Sequence, residues 1–367
     1  MSGLPDVGDR LEARTGPIAH GGHVVARVPV GDRDVVVFVR HALPGERVLV
    51  EVTEIGKSFL RGDAVEVLEA SVDRVPAPCP LAHPGGCGGC DFQHVALTAQ
   101  RRLKADVITE QLRRLAGLER EVVVEPVEPT LHWRTRMQYV ALPDGGVGLR
   151  KHRSHDVVPV EECLIEAPGA RRTAAEIVTE RVLDREFRVE ADGFWQVHPE
   201  APRLLVATVL DLLTPRPGEH ALDLYAGVGL FSAFLAEAVG ATGGVVSVEA
   251  DRRASRLAAE NLADLAQVSV TPGRVDRVLA RGFEAQDLVV LDPPREGAKR
   301  TVVDAVAALR PRAVAYVACD PAALARDVAY FAAAGYRLDD LRAFDLFPMT
   351  SHVECVALLV KSDSGLR

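Results

Sequence analysis

Short β-branched runs separated by turn signals fill the first 70 positions of this 367-residue chain. Positions 24–30, 34–40, 47–55 and 64–70 read as strands, and Gly31-Asp32, Pro44-Gly45 and Gly62-Asp63 punctuate them. No helical period is visible there, so a small antiparallel, OB-like barrel is expected. Residues 98–118 carry a helical period, with Leu103, Val107, Ile108, Leu112 and Leu115 on the apolar side. Positions 122–125, 136–142 and 147–150 return to strands, and 170–183 reads as a helix.

From about Phe194 the pattern becomes a regular alternation of helix and strand, as in a doubly wound parallel sheet. Strands are predicted at 220–225, 245–249, 268–271, 287–291 and 313–318, with helices at 204–213, before 239, at 251–265 and at 322–334. Two closing strands, 337–346 and 353–360, can pair antiparallel. The fold class is α/β. A barrel (1–72) and a central α+β segment (73–192) precede a Rossmann-like sheet (193–367).

Composition narrows the partners. Hydrophobic residues make up 48% and charged residues 26%, as in ordinary globular proteins. No apolar run approaches a membrane span, and MSGLPDVGDR lacks the layout of a signal peptide, so a cytoplasmic protein is expected. A net charge of −9 argues against coating nucleic acid by bulk charge but leaves room for a local basic groove. Arg134, Arg136, Arg150, Lys151 and Arg153 form one candidate group. Arg101, Arg102, Lys104, Arg113 and Arg114 form a second, read as the solvated side of the 98–118 helix.

Six cysteines in a cytoplasmic chain point to metal or catalysis rather than disulfides. Cys79, Cys87 and Cys90 lie in CPLAHPGGCGGC, where glycines let the backbone wrap closely around a bound group. A zinc ribbon needs a second Cys-x2-Cys pair, which is lacking, and Cys163 is the candidate fourth ligand. Three clustered thiolates and one distant one suit an iron–sulfur cluster better than zinc.

ALDLYAGVGLFS places Asp223 at a strand end and Gly227 and Gly229 in the turn before a helix. Glu249 closes the next strand 20 residues after Gly229, at the position that hydrogen-bonds a ribose. Position 232 is Ser rather than the third glycine of a dinucleotide site. Asp223 repels phosphate and suits an amino group, and S-adenosylmethionine meets these demands. Asp292 ends the fourth strand in LDPPREG; Arg295 stands where amino-group methyltransferases place an aromatic, which disfavours methylation on nitrogen.

Cys319, in YVACDPAALARD, follows a buried strand and precedes a helix, where an α/β sheet displays reactive groups and a helix end lowers a thiol's pKa. A buried core cysteine is the other reading. Glu354 interrupts an apolar strand, where a carboxylate is costly unless it has a task or a partner. Cys355 follows on the opposite face and reads as core.

Together these motifs resemble the RNA (uracil-5-)-methyltransferases of the TRAM-domain, iron–sulfur type. The resemblance runs through LPGERV, CGGC, FWQVHPEA, DLYAGVGLFS, LDPPREG, YVACDPAALARD and FPMTSHVECVALL, and so covers nearly the whole chain. It implies S-adenosylmethionine-dependent methylation of carbon 5 of a uridine in structured RNA, 23S ribosomal RNA being favoured over transfer RNA. It also implies a TRAM barrel that binds RNA, a monomer, and no membrane partner. By the same resemblance Cys319 is the nucleophile and Glu354 the general base. Gln196, Tyr225, Glu249 and Asp292 surround the cofactor, and Cys79, Cys87, Cys90 and Cys163 hold a four-iron–four-sulfur cluster. Two alternatives are cytosine-5 methylation and an RNA-binding or RNA-folding protein without catalysis. Asp320 departs from the family pattern, which commonly has Asn after the nucleophile; a carboxylate there raises the thiol's pKa unless it points away.

Overall fold

The structure is a computed structural model and describes residues 5–31, 33–171 and 176–362. Five strands, β1 (Arg10–Ala19), β2 (His23–Val30), β3 (Arg33–Arg40), β4 (Arg47–Ile55) and β5 (Phe59–Glu69), close into a barrel in the order β1-β2-β3-β5-β4. Alternate residues face inward, so Val24, Val37, Val39, Val48, Val50 and Leu60 are fully buried. The β3–β5 pair is parallel, a departure from the all-antiparallel barrel expected. β1 was not legible as a strand because GPIA breaks its alternation, and its register shifts between Thr15 and Ile18. Buried Glu46 accepts from Arg74 through both oxygens at 2.6 Å, tying the barrel to the segment that leaves it.

The helix α1 (Leu97–Gln111) continues as a π-helical turn to Ala116 and ends at Gly117, φ +66°. Lys104 on this helix corrects the sequence reading. It is not solvated but fully buried, its Nζ 2.5 Å from Asp345 and 3.0 Å from the Phe347 carbonyl. Next come short strands: β6 (Val124–Glu125), β7 (Arg134–Arg136), β8 (Val140–Ala141), β9 (Val147–Arg150), β10 (Val157–Pro159) and β11 (Glu166–Arg171). The helix expected over 170–183 is also corrected: β12 (Ile177–Val182) and β13 (Arg185–Glu190) form an antiparallel hairpin, and 172–175 lie outside the described residues. Its turn places Leu183 at φ +55°, and Val182, Phe187 and Val189 join the core of the C-terminal sheet. Tertiary burial of alternate residues overrode the weak helical period.

The C-terminal part runs α2 (Ala201–Leu213), β14 (His220–Leu224), α3 (Leu230–Val239), β15 (Gly244–Glu249), α4 (Arg252–Asn261) and β16 (Val268–Pro272). It continues α5 (Val275–Leu279), β17 (Leu288–Leu291), α6 (Lys299–Ala308), β18 (Ala313–Ala318), α7 (Pro321–Ala333), β19 (Tyr336–Phe344) and β20 (Glu354–Lys361). The sheet order is β16-β15-β14-β17-β18-β20-β19-β6, so the central segment lends its edge strand β6. β14 to β18 are mutually parallel, and β20 is antiparallel to both neighbours. Strand order reverses between β14 and β17, the crevice where α/β sheets bind ligands at strand carboxyl ends. Among the described residues no helix is long and apolar enough to cross a membrane.

Candidate active site

Beyond the carboxyl ends of these strands opens a cavity of about 1360 Å³. One wall of it is made by consecutive strand ends. After β14, Tyr225 (φ +63°), Gly227 (φ +56°) and Gly229 (φ +93°) turn the chain into α3. The two glycines serve different ends. A Cβ on Gly229 would meet Leu262 at 2.7 Å, whereas one on Gly227 would meet nothing within 4 Å. Gly229 therefore permits helix packing, and Gly227 supplies a backbone conformation that L side chains disfavour. Glu249, at the end of β15, accepts the Gly227 amide at 2.9 Å and the Asp251 amide at 2.6 Å, fixing the turn. Gln196 donates to Asp292 at 3.5 Å.

Gln196, Tyr225, Gly227, Glu249 and Asp292 line the cavity; Asp223 lies behind them, fully buried. Asp223 accepts from Ser232 Oγ at 2.6 Å, and its other oxygen has no partner. Ser232 is thus the support of this carboxylate. Burial, partly opposed by Ser232, pushes Asp223 up to about 7. Burial and then the neighbouring Asp223 push Asp292 to about 7 as well.

Cys319 and Glu354 meet at the next strand ends. β18 and β20 pair Ala318 with Cys355, so the next step of the register sets Cys319 against Glu354. Both line the cavity beside Asp292, while Cys355 is fully buried on the other face. Burial, with Asp292 adding to it, holds the Glu354 carboxyl well above the usual range. The expected lowering of the Cys319 thiol by the helix end is overturned. Burial, then Glu354 and Asp292, push it up to about 12, against a smaller opposing effect of Arg295. Asp320 is the last of the groups raising it: its carboxylate caps α7, accepting the Ala323 amide at 2.8 Å, and takes His20 Nε2 at 2.9 Å.

Sequence reasoning missed the supports of Glu354. Gln100 binds the segment before β20 through the Met349 amide (2.9 Å), and Lys104 pairs with Asp345 one turn along the same helix face. The signal was available: Gln100, Lys104 and Ile108 recur every four residues, which places two polar side chains in a buried row. His352 and Arg295, 3.4 Å apart, also line the cavity and were not singled out as a pair.

The cavity's far end holds Cys79, Cys87, Cys90 and Cys163. Burial pushes the Cys90 thiol to about 12, with Cys163, Cys87 and Cys79 adding to it against Gln93. The loop that carries three of the thiols is pressed against the end of β9. The Gly88 amide donates to Arg150 at 3.1 Å, and a Cβ on Gly88 would lie 2.3 Å from the His152 nitrogen. Among the described residues no three His, Cys, Asp or Glu side chains are arranged to hold a single metal ion. Arg134, Arg136, Arg150, Lys151 and Arg153 line the same cavity.

Comparison with known proteins agrees with this fold. A TRAM domain profile matches residues 6–65, and a tRNA (Uracil-5-)-methyltransferase profile matches residues 175–362, about half of the chain. An uncharacterized RNA methyltransferase of Streptomyces coelicolor is 45% identical, over 98% of this chain and 94% of that one. A second, from Bdellovibrio bacteriovorus, is 32% identical over 97% of this chain and 96% of its own length. The fold matches the Pyrococcus abyssi tRNA (uracil-54, C5)-methyltransferase, crystallised with S-adenosyl-L-homocysteine. Its TM-score is 0.73 at 21% identity, over 95% of this chain and 100% of that one. The chain is an RNA methyltransferase and belongs to the tRNA (uracil-5-)-methyltransferase family.

Proposed function

We propose that this protein transfers a methyl group from S-adenosylmethionine to carbon 5 of a uridine in structured RNA, acting as a cytoplasmic monomer. The observation that carries this reading is that Cys319, one residue past the end of β18, and Glu354, at the start of the neighbouring β20, line one cavity. Uracil carbon 5 is a poor nucleophile. Cys319, as thiolate, adds to carbon 6; the π pair moves onto carbon 5 and oxygen 4. S-adenosylmethionine, when bound, would supply an electrophilic methyl for carbon 5, its sulfonium becoming an uncharged thioether. Glu354, as carboxylate, then takes the carbon-5 proton; the freed pair restores the ring double bond and expels the Cys319 thiolate. The proton passes from Glu354 to solvent, so one uridine and one sulfonium give one 5-methyluridine, one thioether and one proton.

Electrostatics support a cationic cofactor. Asp223, Asp292 and Glu354 are buried carboxyl groups, each raised in pKa, around one wall with Arg295 as the facing cation. A sulfonium placed there lowers these values and offsets their burial. Glu249 retains acceptor capacity for ribose hydroxyls, and Tyr225 offers a ring beside the turn. The buried, opposite-facing Cys355 disfavours the cytosine-5 reading, which calls on a second catalytic cysteine.

The four convergent thiols support a four-iron–four-sulfur cluster with Cys79, Cys87, Cys90 and Cys163 as ligands. The fit rests on donor chemistry: two segments bring four half-buried thiols against one space, with tight glycine crossings that a wrapped cluster requires. Methyl transfer needs no electron, so the cluster's task is to join the 79–90 loop to the segment of Cys163. The preference for 23S ribosomal RNA over transfer RNA follows from the family resemblance of the sequence motifs alone. The test is incubation of anaerobically purified protein with RNA from a strain lacking the gene and labelled S-adenosylmethionine. Labelled 5-methyluridine in the ribosomal fraction is expected; label in 5-methylcytidine, or none while RNA stays bound, contradicts the reading.

A further inference from the structure

One turn of the barrel reaches the ends of both catalytic strands. Between β1 and β2, His20 binds Asp320, the residue after Cys319. Two residues on, Gly22 (φ +78°) lies so close to Ser351 that a Cβ would meet the serine's Cβ at 2.7 Å. Ser351 precedes Glu354 by three residues, and its amide and hydroxyl both donate to Asp91. Asp91 in turn pairs with Arg40 of β3 at 3.4 Å. The turn is therefore docked on the catalytic ends rather than free in solvent.

Asp320 is the position at which this chain adds a negative charge beside its thiol. The structure shows how that charge is held. One oxygen accepts the Ala323 amide and the other takes His20, so both are engaged. Burial alone would raise this carboxyl; the His20 hydrogen bond and the Ala323 amide outweigh it and keep it ionised. His20 is raised in turn, chiefly by its hydrogen bond to Asp320 against the effect of its own burial. Neither side chain is among the residues lining the cavity, so His20 acts through Asp320 rather than on the base.

We propose that His20 is a positioning residue for the Cys319 thiolate: from the barrel it neutralises Asp320 and pins the carboxylate to the helix cap. The proposal rests on Cys319 being the nucleophile. It also gives the RNA-binding barrel a direct part in the chemistry of the C-terminal sheet. Asp320 faces His20 on one side and the Cys319 and Cys355 thiols on the other; Glu354, Asp292 and Arg295 also face Cys319. The latter groups titrate equally in all variants, so the informative quantity is a difference between paired variants.

The sign follows from His20. The imidazolium is present below its raised pKa and is lost as pH rises through it. Its benefit is therefore largest in acid and fades in alkali.

The experiment measures covalent adduct formation at saturating RNA, using ribosomal and transfer RNA transcribed with 5-fluorouridine. S-adenosylmethionine is included: once carbon 5 carries both methyl and fluorine it has no proton to lose, so the Cys319-linked species accumulates. His20→Ala is expected to slow adduct formation about tenfold near pH 6 and less than about twofold near pH 9. In an Asp320→Asn background, where the cap survives without the charge, the same substitution is expected to have no pH-dependent effect. An equal His20→Ala effect in both backgrounds, or a change only in the RNA half-saturation concentration, would overturn the proposal. Absence of any adduct removable by Cys319→Ala would instead overturn the nucleophile assignment, and the proposal with it.

Discussion

The proposed cofactor wall and the surroundings of Cys319 sit on one sheet but are built by different means. The wall is local. Tyr225, Gly227 and Glu249 occupy two consecutive strand ends, and backbone amides do most of the fixing. The side of Cys319 and Glu354 is assembled from afar: His20 of the barrel bonds Asp320, and Gln100 and Lys104 of α1 bond the segment before β20. The wall is thus held within the sheet, while the surroundings of Cys319 and Glu354 join barrel, helix and sheet.

Substitutions separate the two halves. The largest effect is expected from Cys319→Ala, which removes at least about 10³-fold of methyl transfer yet leaves cofactor affinity unchanged by calorimetry. Next is Lys104→Ala, which strands Asp345 as a buried, uncompensated charge. It should cost about 3–5 kcal/mol in urea unfolding, and Lys104→Met with Asp345→Leu should recover most of that loss. These two changes act on the assembled half.

The wall responds to pH. With Asp292 and Asp223 near 7, both are protonated in acid and ionised in alkali. A cationic ligand favours the ionised forms, so cofactor affinity should rise by up to about tenfold per pH unit below 7 and level off above it. Asp292→Asn should flatten that rise. The smallest effect is expected from Gly227→Ala, whose φ of +56° places an L residue in a disfavoured conformation at about 1 kcal/mol. Differential scanning and cofactor titration would read it as a small loss in both.

The contrast also explains what the sequence made legible. Strands ending in Asp223, Glu249 and Asp292 were readable because an α/β sheet puts ligand residues just past apolar runs, at fixed places in the pattern. Residues 313–318, expected as a strand, are that strand. Glu354 stood out because nothing else in its strand is charged before Lys361. Lys104 was misread because an amphipathic helix assigns lysine to water, and only the contact with Asp345, 241 residues away, reverses that. The 170–183 segment was misread because its alternation is as weak as its helical period, and burial of Val182 against the distant sheet core decided between them. The thiol's pKa was misjudged for a related reason: a helix end is visible in sequence, but burial of the thiol and two carboxyl groups arriving from other strands are not. Long-range pairing, rather than local propensity, carries what the sequence did not show.

The central claim is that Cys319 attacks and Glu354 removes the proton. Intact-mass spectrometry of Glu354→Gln, incubated with RNA and S-adenosylmethionine, tests it most directly. The account predicts an accumulated protein–RNA species carrying the transferred methyl, attached at Cys319 and absent when Cys319→Ala is added. A Glu354→Gln protein that binds RNA and cofactor but forms no adduct, or an adduct that survives Cys319→Ala, would contradict it.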